Sequence, residues 1–506
     1  MPNRWASLRS TTLSDQAIRC WPACLAIALT LMLCTWAIGV PRYGAPDELA
    51  HTVKAYGTAH GETIGSAVPD GSPLTRYFDV PAGLLTGDPG CFAFYPQLNA
   101  SCSIAANDPR IIQYATSAAT YPPEYYAVVG GTSRLLGAEE SVLSYRLISM
   151  LIAAALLTLG LYFMRRAGGR NAGLALVALT PMTIFISTST NPASTELAGT
   201  FLLWAYVAAL LARDEVASRR QLLLASSVAA GVVLVRPVAL PWVAIALGSY
   251  LLLERRRFAI DRRSTTRILA LCSLPLVAAV VLSSAWSRYA GVGLTDDKYV
   301  VADPTTAIFR VGLGRTSELF RQAFGTLGWL DTALPTPTYV LWIACLVLIA
   351  ALVAFGTDRR VKLTLAAIGA IWVLYPAIYV TLAKTPLVWQ GRYNLPLLGG
   401  VAMCGIVSAR TSAWPSPADS IARFCAGSWV GIEVVAFYQT LRRFMVGANG
   451  SLRLRGGWEP PINVWLLLVG NAATAVAVAW LMTRPGGPVE PAKVETPARS
   501  YASVAG

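Results

Sequence analysis

Leu25-Ala26-Ile27-Ala28-Leu29-Thr30-Leu31-Met32-Leu33-Cys34-Thr35-Trp36-Ala37-Ile38-Gly39-Val40 carries no charge, and Gly44-Ala45-Pro46-Asp47-Glu48-Leu49-Ala50-His51 follows it almost at once. With Cys20 to Cys24 before it, the first stretch is long enough to cross a bilayer as a helix. Two carboxylates and an imidazole therefore stand at the mouth of a membrane helix. Pro46 suits the first turn of a new helix, where its missing N–H is no loss. A helix starting there puts His51 four residues from Asp47 and three from Glu48, on one face. The acids could simply complement the positive end of that helix. Ionisable groups gathered at a membrane boundary point instead to a site.

Composition agrees with a membrane chain. Of 506 residues, 55% are hydrophobic and 13% charged, and the mean hydropathy is +0.52. These values exclude an ordinary soluble multidomain enzyme. The net charge of +14 comes from short basic clusters between apolar runs, the decoration of membrane loops. Nucleic acid is not expected as a partner; anionic membrane lipids are.

Positive-inside reasoning gives an all-α polytopic protein of about twelve spans, in the cell membrane with both termini cytoplasmic. Residues 1–19 form a cytoplasmic N-terminus, and the first span is a retained signal anchor rather than a cleaved leader. Residues 20–482 form the transmembrane domain, and 483–506 a disordered cytoplasmic tail. A large extracytoplasmic loop, 41–141, carries a helix in the membrane interface after Tyr121-Pro122-Pro123-Glu124-Tyr125-Tyr126, with its tyrosines at head-group depth. A second outside loop, 287–338, holds Asp296, Asp297, Lys298 and Gly328-Trp329-Leu330-Asp331. The tract Ala172 to Thr188 is read as a span, and Leu222 to Leu253 as two, broken at Arg236-Pro237. No internal repeat is visible.

Seven cysteines, Cys20, Cys24, Cys34, Cys272, Cys345, Cys404 and Cys425, lie in or beside apolar runs and read as small buried hydrophobes. Cys91 and Cys102 lie in the first outside loop, where a disulfide between them is expected.

In this topology Asp47, Glu48, His51, Glu124, Glu196, Arg236, Asp331 and Arg392 all face one side of the membrane. Such a set suits an anionic lipid-linked donor. Cations hold the phosphate, and a carboxylate activates an incoming hydroxyl. Arg suits a phosphate through its planar fork. Glu433, inside a span, reads as a structural partner for Arg442 or Arg443.

Several short pieces resemble a family of predicted bacterial membrane proteins, the domain of unknown function DUF2142. They are Pro46-Asp47-Glu48 with His51; Ala178-Leu179-Thr180-Pro181-Met182 running into Asn191-Pro192; Val235-Arg236-Pro237; Gly328-Trp329-Leu330-Asp331; and Gln390-Gly391-Arg392-Tyr393. That family is similar to the multi-pass GT-C glycosyltransferases, which use polyprenyl-phosphate sugars. The resemblance implies a GT-C-like fold and a membrane glycosyltransferase acting on a cell-envelope glycan or glycolipid. Asp47 then resembles the catalytic base, with Glu48 beside it. Arg236 resembles the cation that meets the lipid phosphate, and Tyr121-Pro122-Pro123 the start of a second interfacial helix. His51, Glu124, Asp331 and Arg392 are expected to bind substrate. Many relatives carry Ser-Pro-Asp where this chain has Asn191-Pro192-Ala193, so a Mg²⁺ or Mn²⁺ cofactor and a metal-independent reaction both stay open. The alternatives are a lipid or polysaccharide transporter, or a non-catalytic subunit of an envelope-assembly complex.

Overall fold

A computed structural model describes residues 20–69, 74–213, 215–258, 262–292, 309, 313–356, 358–383, 389–412 and 415–484. The N-terminus, the tail beyond 484, Asp296, Asp297, Lys298 and the turn from Lys384 to Val388 lie outside them. The chain is a multi-pass helical membrane protein. Its long helices are α1 (Trp21–Gly39), α4 (Val142–Gly168), α6 (Pro192–Leu211), α8 (Leu240–Phe258), α12 (Thr336–Ala354), α13 (Arg359–Ala383), α15 (Pro415–Val446) and α16 (Val464–Thr483). Between them lie α2 (Glu48–Ala59), α3 (Glu124–Leu135), α5 (Pro181–Ser187), α7 (Arg219–Val235), α9 (Arg262–Cys272), α10 (Leu274–Tyr289), α11 (Thr316–Gly325) and α14 (Leu398–Arg410).

The count of twelve spans is not confirmed. Among the described residues, eight helical stretches are long and apolar enough to cross a membrane. The tract Ala172 to Thr188 is not a single rod. A 3₁₀ stretch, Gly169–Ala178, leads to Thr180, whose hydroxyl caps the seven-residue α5 while Pro181 fills its first position. Helices α10 and α14, at 16 and 13 residues, fall short of the ~17–25 residues of a full crossing, and α7, at 17, stands at its lower limit. Helix α6 is the packing centre, its apolar residues buried nearly all round and seated against α4, α7, α8 and α14.

The first loop holds more than interfacial helix. Strands β1 (Ser66–Ala67), β2 (Arg76–Pro81) and β3 (Ile111–Thr116) form an antiparallel sheet in the order β1-β2-β3. A second, two-stranded pairing joins β4 (Thr326–Leu327) to β5 (Thr332–Ala333). Helix α3 turns its two tyrosines into the protein. It lies on α2, so closely that a Cβ on Gly130 would stand 2.0 Å from Ala55 O. Tyr125 and Tyr126 are buried, and the Tyr125 hydroxyl donates to Ser149 Oγ at 2.7 Å. A disulfide joins Cys91 to Cys102, with Cα atoms 6.4 Å apart. Of the other cysteines, Cys272, Cys345, Cys404 and Cys425 are buried and Cys34 is half-buried. Cys20 and Cys24, at the exposed start of α1, are not the buried hydrophobes expected of them.

Candidate active site

The site forms where the α1–α2 corner meets the Gln390-Gly391-Arg392-Tyr393 turn. Asp47 precedes α2 with φ 65° and ψ 0°, a left-handed conformation that the short Asp side chain tolerates. Its carboxylate makes no capping bond to α2. It accepts instead from Arg392, Nη2 to Oδ2 at 2.5 Å. Arg392 is 4% exposed, whereas Asp47 keeps 47% of its side chain open. The carboxylate is thus anchored from behind and accessible in front. Gly391 makes this possible, since a Cβ there would stand 2.0 Å from Leu319 O of α11.

Arg236 comes from the break between α7 and α8, where Pro237 ends one helix and opens a 3₁₀ turn. It is buried and donates to Glu196, one turn into α6. The Tyr393 ring lies between the two cations, 5.0 Å from the Arg236 guanidinium carbon and 5.5 Å from that of Arg392. Among the described residues, buried Arg236 Nε, Arg392 Nε, Arg392 Nη1 and Glu196 Oε1 have no hydrogen-bond partner. Buried charged donors without partners are costly, so the three guanidinium nitrogens mark a place built for an acceptor-rich group. A cavity of about 260 Å³ opens beside Arg236, walled by Tyr121, Tyr379, Trp389 and Tyr393.

The charges bias one another. Burial works upward on the Asp47 carboxyl, but Arg392, His51 and Arg236 hold it below the ordinary carboxylate range. It is an anion at neutral pH. His51 is buried, and its Nδ1 is hydrogen-bonded to Tyr126 Oη at 2.8 Å. Burial pushes the imidazole down to about 3, against the pull of Asp47 and with help from Arg236, Arg392 and Lys54. It is therefore neutral.

Lys54, absent from the sequence reading, closes the other end of this face. It is fully buried and donates to Thr63 O at 2.8 Å and Ala119 O at 2.5 Å, and it lies over the rings of Phe78, Tyr126 and Trp286. Burial brings its ammonium down to about 7, against the pull of Glu124. Its spacing of three from His51 on a helix was the available signal. Glu124 itself is exposed in the first turn of α3. It reaches this face only through its field on Lys54.

Two expected members have other work. Glu48 is fully buried and bidentate with Arg146, Oε1 to Nε at 2.9 Å and Oε2 to Nη2 at 2.5 Å. Thr190 N donates to the same Oε1 at 3.1 Å. Arg146 completes its fork on the carbonyls of Ala37, Val40 and Pro41. The pair locks the corner between α1 and α2, so the structure gives Glu48, expected beside the catalytic base, a buried ion-pair partner instead of an open face. Asp331 accepts from Arg443 Nη2 at 3.0 Å, from Phe94 N at 3.1 Å and from the Thr332 hydroxyl at 2.7 Å. It clasps the first loop to the end of α15 rather than facing a substrate. Arg443 is thereby engaged, and Arg442 donates to Gly450 O; neither carries the expected bond to Glu433, whose two oxygens are buried without a partner.

A divalent cation finds no suitable set here. Asp47 offers one carboxylate beside an imidazole and two guanidiniums, whereas Mg²⁺ and Mn²⁺ take several oxygens. Among the described residues, no three His, Cys, Asp or Glu side chains gather as ligands.

The family described as "Predicted membrane protein (DUF2142)" matches residues 30–401. Among solved structures, ArnT from Cupriavidus metallidurans bound to undecaprenyl phosphate is similar at 14% identity and a TM-score of 0.44. That likeness covers 91% of this chain and 75% of that one. The Archaeoglobus fulgidus oligosaccharyltransferase in complex with zinc and sulfate is similar at 14% identity and a TM-score of 0.36, over 90% of this chain and 61% of that one. No curated protein matches. Both likenesses are too distant to carry a statement about chemistry in this chain.

Proposed function

The chain belongs to the DUF2142 family of predicted membrane proteins, and from that premise we propose that it transfers a sugar from a polyprenyl-phosphate donor to a cell-envelope glycan or glycolipid. The face bearing Asp47 is the extracytoplasmic one in this reading, with the basic turns inside. The observation that carries it is the pair of buried guanidiniums, Arg236 and Arg392, with unpartnered N–H groups beside an accessible, ionised carboxylate.

In the reaction, Asp47 takes the proton of an acceptor hydroxyl as that oxygen bonds to the anomeric carbon. The bond from that carbon to the phosphate oxygen breaks, and the lipid phosphate leaves with the electron pair. Arg236 and Arg392 meet the charge that develops on it. Arg392 touches Asp47 through one nitrogen and has two more free, so it relates the base to the leaving group. His51 packs edge-on against Tyr121 of the cavity wall, ring centroids 5.2 Å apart, and, being neutral, adds no competing charge. No metal enters this scheme.

The experiment is sugar transfer in membrane vesicles from a radiolabelled polyprenyl-phosphate sugar, comparing the full chain with Asp47→Asn and with Arg236→Ala. Transfer that collapses in both supports the reading. Transfer unchanged in Asp47→Asn removes the base, and with it the mechanism.

A further inference from the structure

A second cavity lies apart from this site. It is a cleft of about 1170 Å³ between α12 and α13, roofed by α11 and floored by α14. It exceeds the ~300–1,000 Å³ usual for a small-molecule pocket. Its walls are hydrocarbon and indole: Trp342, Ile343 and Leu346 of α12, and Ile368 and Trp372 of α13. Gly369 of α13 borders open space, where a Cβ would meet nothing within 4 Å. Both walls are among the stretches long and apolar enough to cross a membrane.

One end of the cleft is polar. There α11 presents Thr316, Ser317 and Arg321. Arg321 is exposed and makes no hydrogen bond or ion pair among the described residues. Glu318, whose field it shares, is already engaged by Arg315 at 2.9 Å and Gln322 at 2.8 Å. A lone cation over a long apolar cleft is the complement of a lipid with an anionic head group.

Helix α11 also separates this cleft from Asp47. Its other side carries Leu319 and Gln322, and Gln322 Oε1 accepts from Gly391 N at 2.9 Å, next to Arg392. A head group at Arg321 thus lies across α11 from the catalytic face, and a donor sugar attached there would not reach Asp47. We infer that the cleft between α12 and α13 is a binding site for an anionic glycerophospholipid of the surrounding leaflet, distinct from the sugar donor, which braces α11 and through it the Gly391–Arg392 turn.

The test is native mass spectrometry of the full chain in detergent, with phosphatidylglycerol and phosphatidylcholine of matched chains as probes. The wild type is expected to retain phosphatidylglycerol about fivefold better, the preference one Arg near an anionic head group supplies. Arg321→Ala brings the two lipids to parity. Gly369→Trp fills the cleft and lowers retention of both. Equal binding in the wild type, or an unchanged preference in Arg321→Ala, overturns the site. So does displacement of phosphatidylglycerol by equimolar polyprenyl phosphate, which would make the cleft the donor's own. These readouts involve no sugar transfer, so the site and the proposed activity can fail separately.

Discussion

Asp47 and Arg392 meet at 2.5 Å although 345 residues of chain separate them. The contact fixes a carboxylate that its own helix leaves uncapped, and it brings the two ends of the matched region to one point. Asp47→Asn keeps an amide oxygen for Arg392 but cannot take a proton. Transfer is expected to fall by about 10²–10⁴-fold, the usual contribution of a general base. The melting midpoint in detergent moves little, because a half-exposed member of a pair contributes about 0–1 kcal/mol. Equal loss of activity and of folded protein would mean that Asp47 is structural.

Glu48 predicts the opposite pattern. Its carboxylate and Arg146 are both buried, and removing one partner of such a pair costs about 3–5 kcal/mol. Glu48→Ala is expected to lower the yield and melting midpoint of the whole chain. Whatever folds should keep its affinity for donor. Size-exclusion recovery and thermal melting, set beside donor KM, separate the neighbouring acids.

The contrast shows what the sequence could and could not reveal. A polar cluster at the end of an apolar run was visible, as was an Arg at each of two helix breaks. Asp47, however, stands outside the helix that Glu48 begins, with its backbone in the left-handed region, so the two neighbouring carboxylates take different partners. Arg146 sits inside an apolar-looking helix, and nothing local announces its partner 98 residues away. The partner of Asp331 was hidden for the same reason, since Arg443 reaches it across 112 residues. Apolar composition was taken for a single rod from Ala172 to Thr188, but Thr180-Pro181 starts a new helix inside the run. The sheet was missed because Ile111 to Thr116 is a short strand in a Pro- and Gly-rich loop.

The two arginines should show in donor affinity. Arg236→Lys and Arg392→Lys retain charge but lose the fork that leaves an N–H free for phosphate. Hydrogen bonds to charged groups are worth about 1.5–3 kcal/mol, so donor KM should rise about ten- to a hundredfold in either variant. Steady-state kinetics with a soluble short-chain polyprenyl-phosphate sugar gives the number. A donor KM unchanged in both would place the phosphate elsewhere.

Lys54 and His51 set a pH dependence of stability whose direction follows from burial. The Lys54 ammonium is brought to about 7 in the folded chain, against about 10.4 when unfolded. The unfolded chain therefore binds more protons between pH 7 and 10.4, and stability rises with pH across that window. His51, at about 3 folded and about 6.5 unfolded, acts the same way lower down. Its contribution is full above pH 6.5 and is lost as pH falls toward 3. The melting midpoint in detergent should thus climb from pH 7 to pH 9, and Lys54→Met, which keeps the buried stem without a titrating group, should flatten that climb. Lys54→Met leaves Thr63 O and Ala119 O without their donor, so its midpoint falls at pH 9, where the wild-type amine is neutral but still donates. A wild type whose midpoint is level from pH 7 to 9 would show that Lys54 holds its proton throughout, with Glu124 closing on it more tightly than the structure places it.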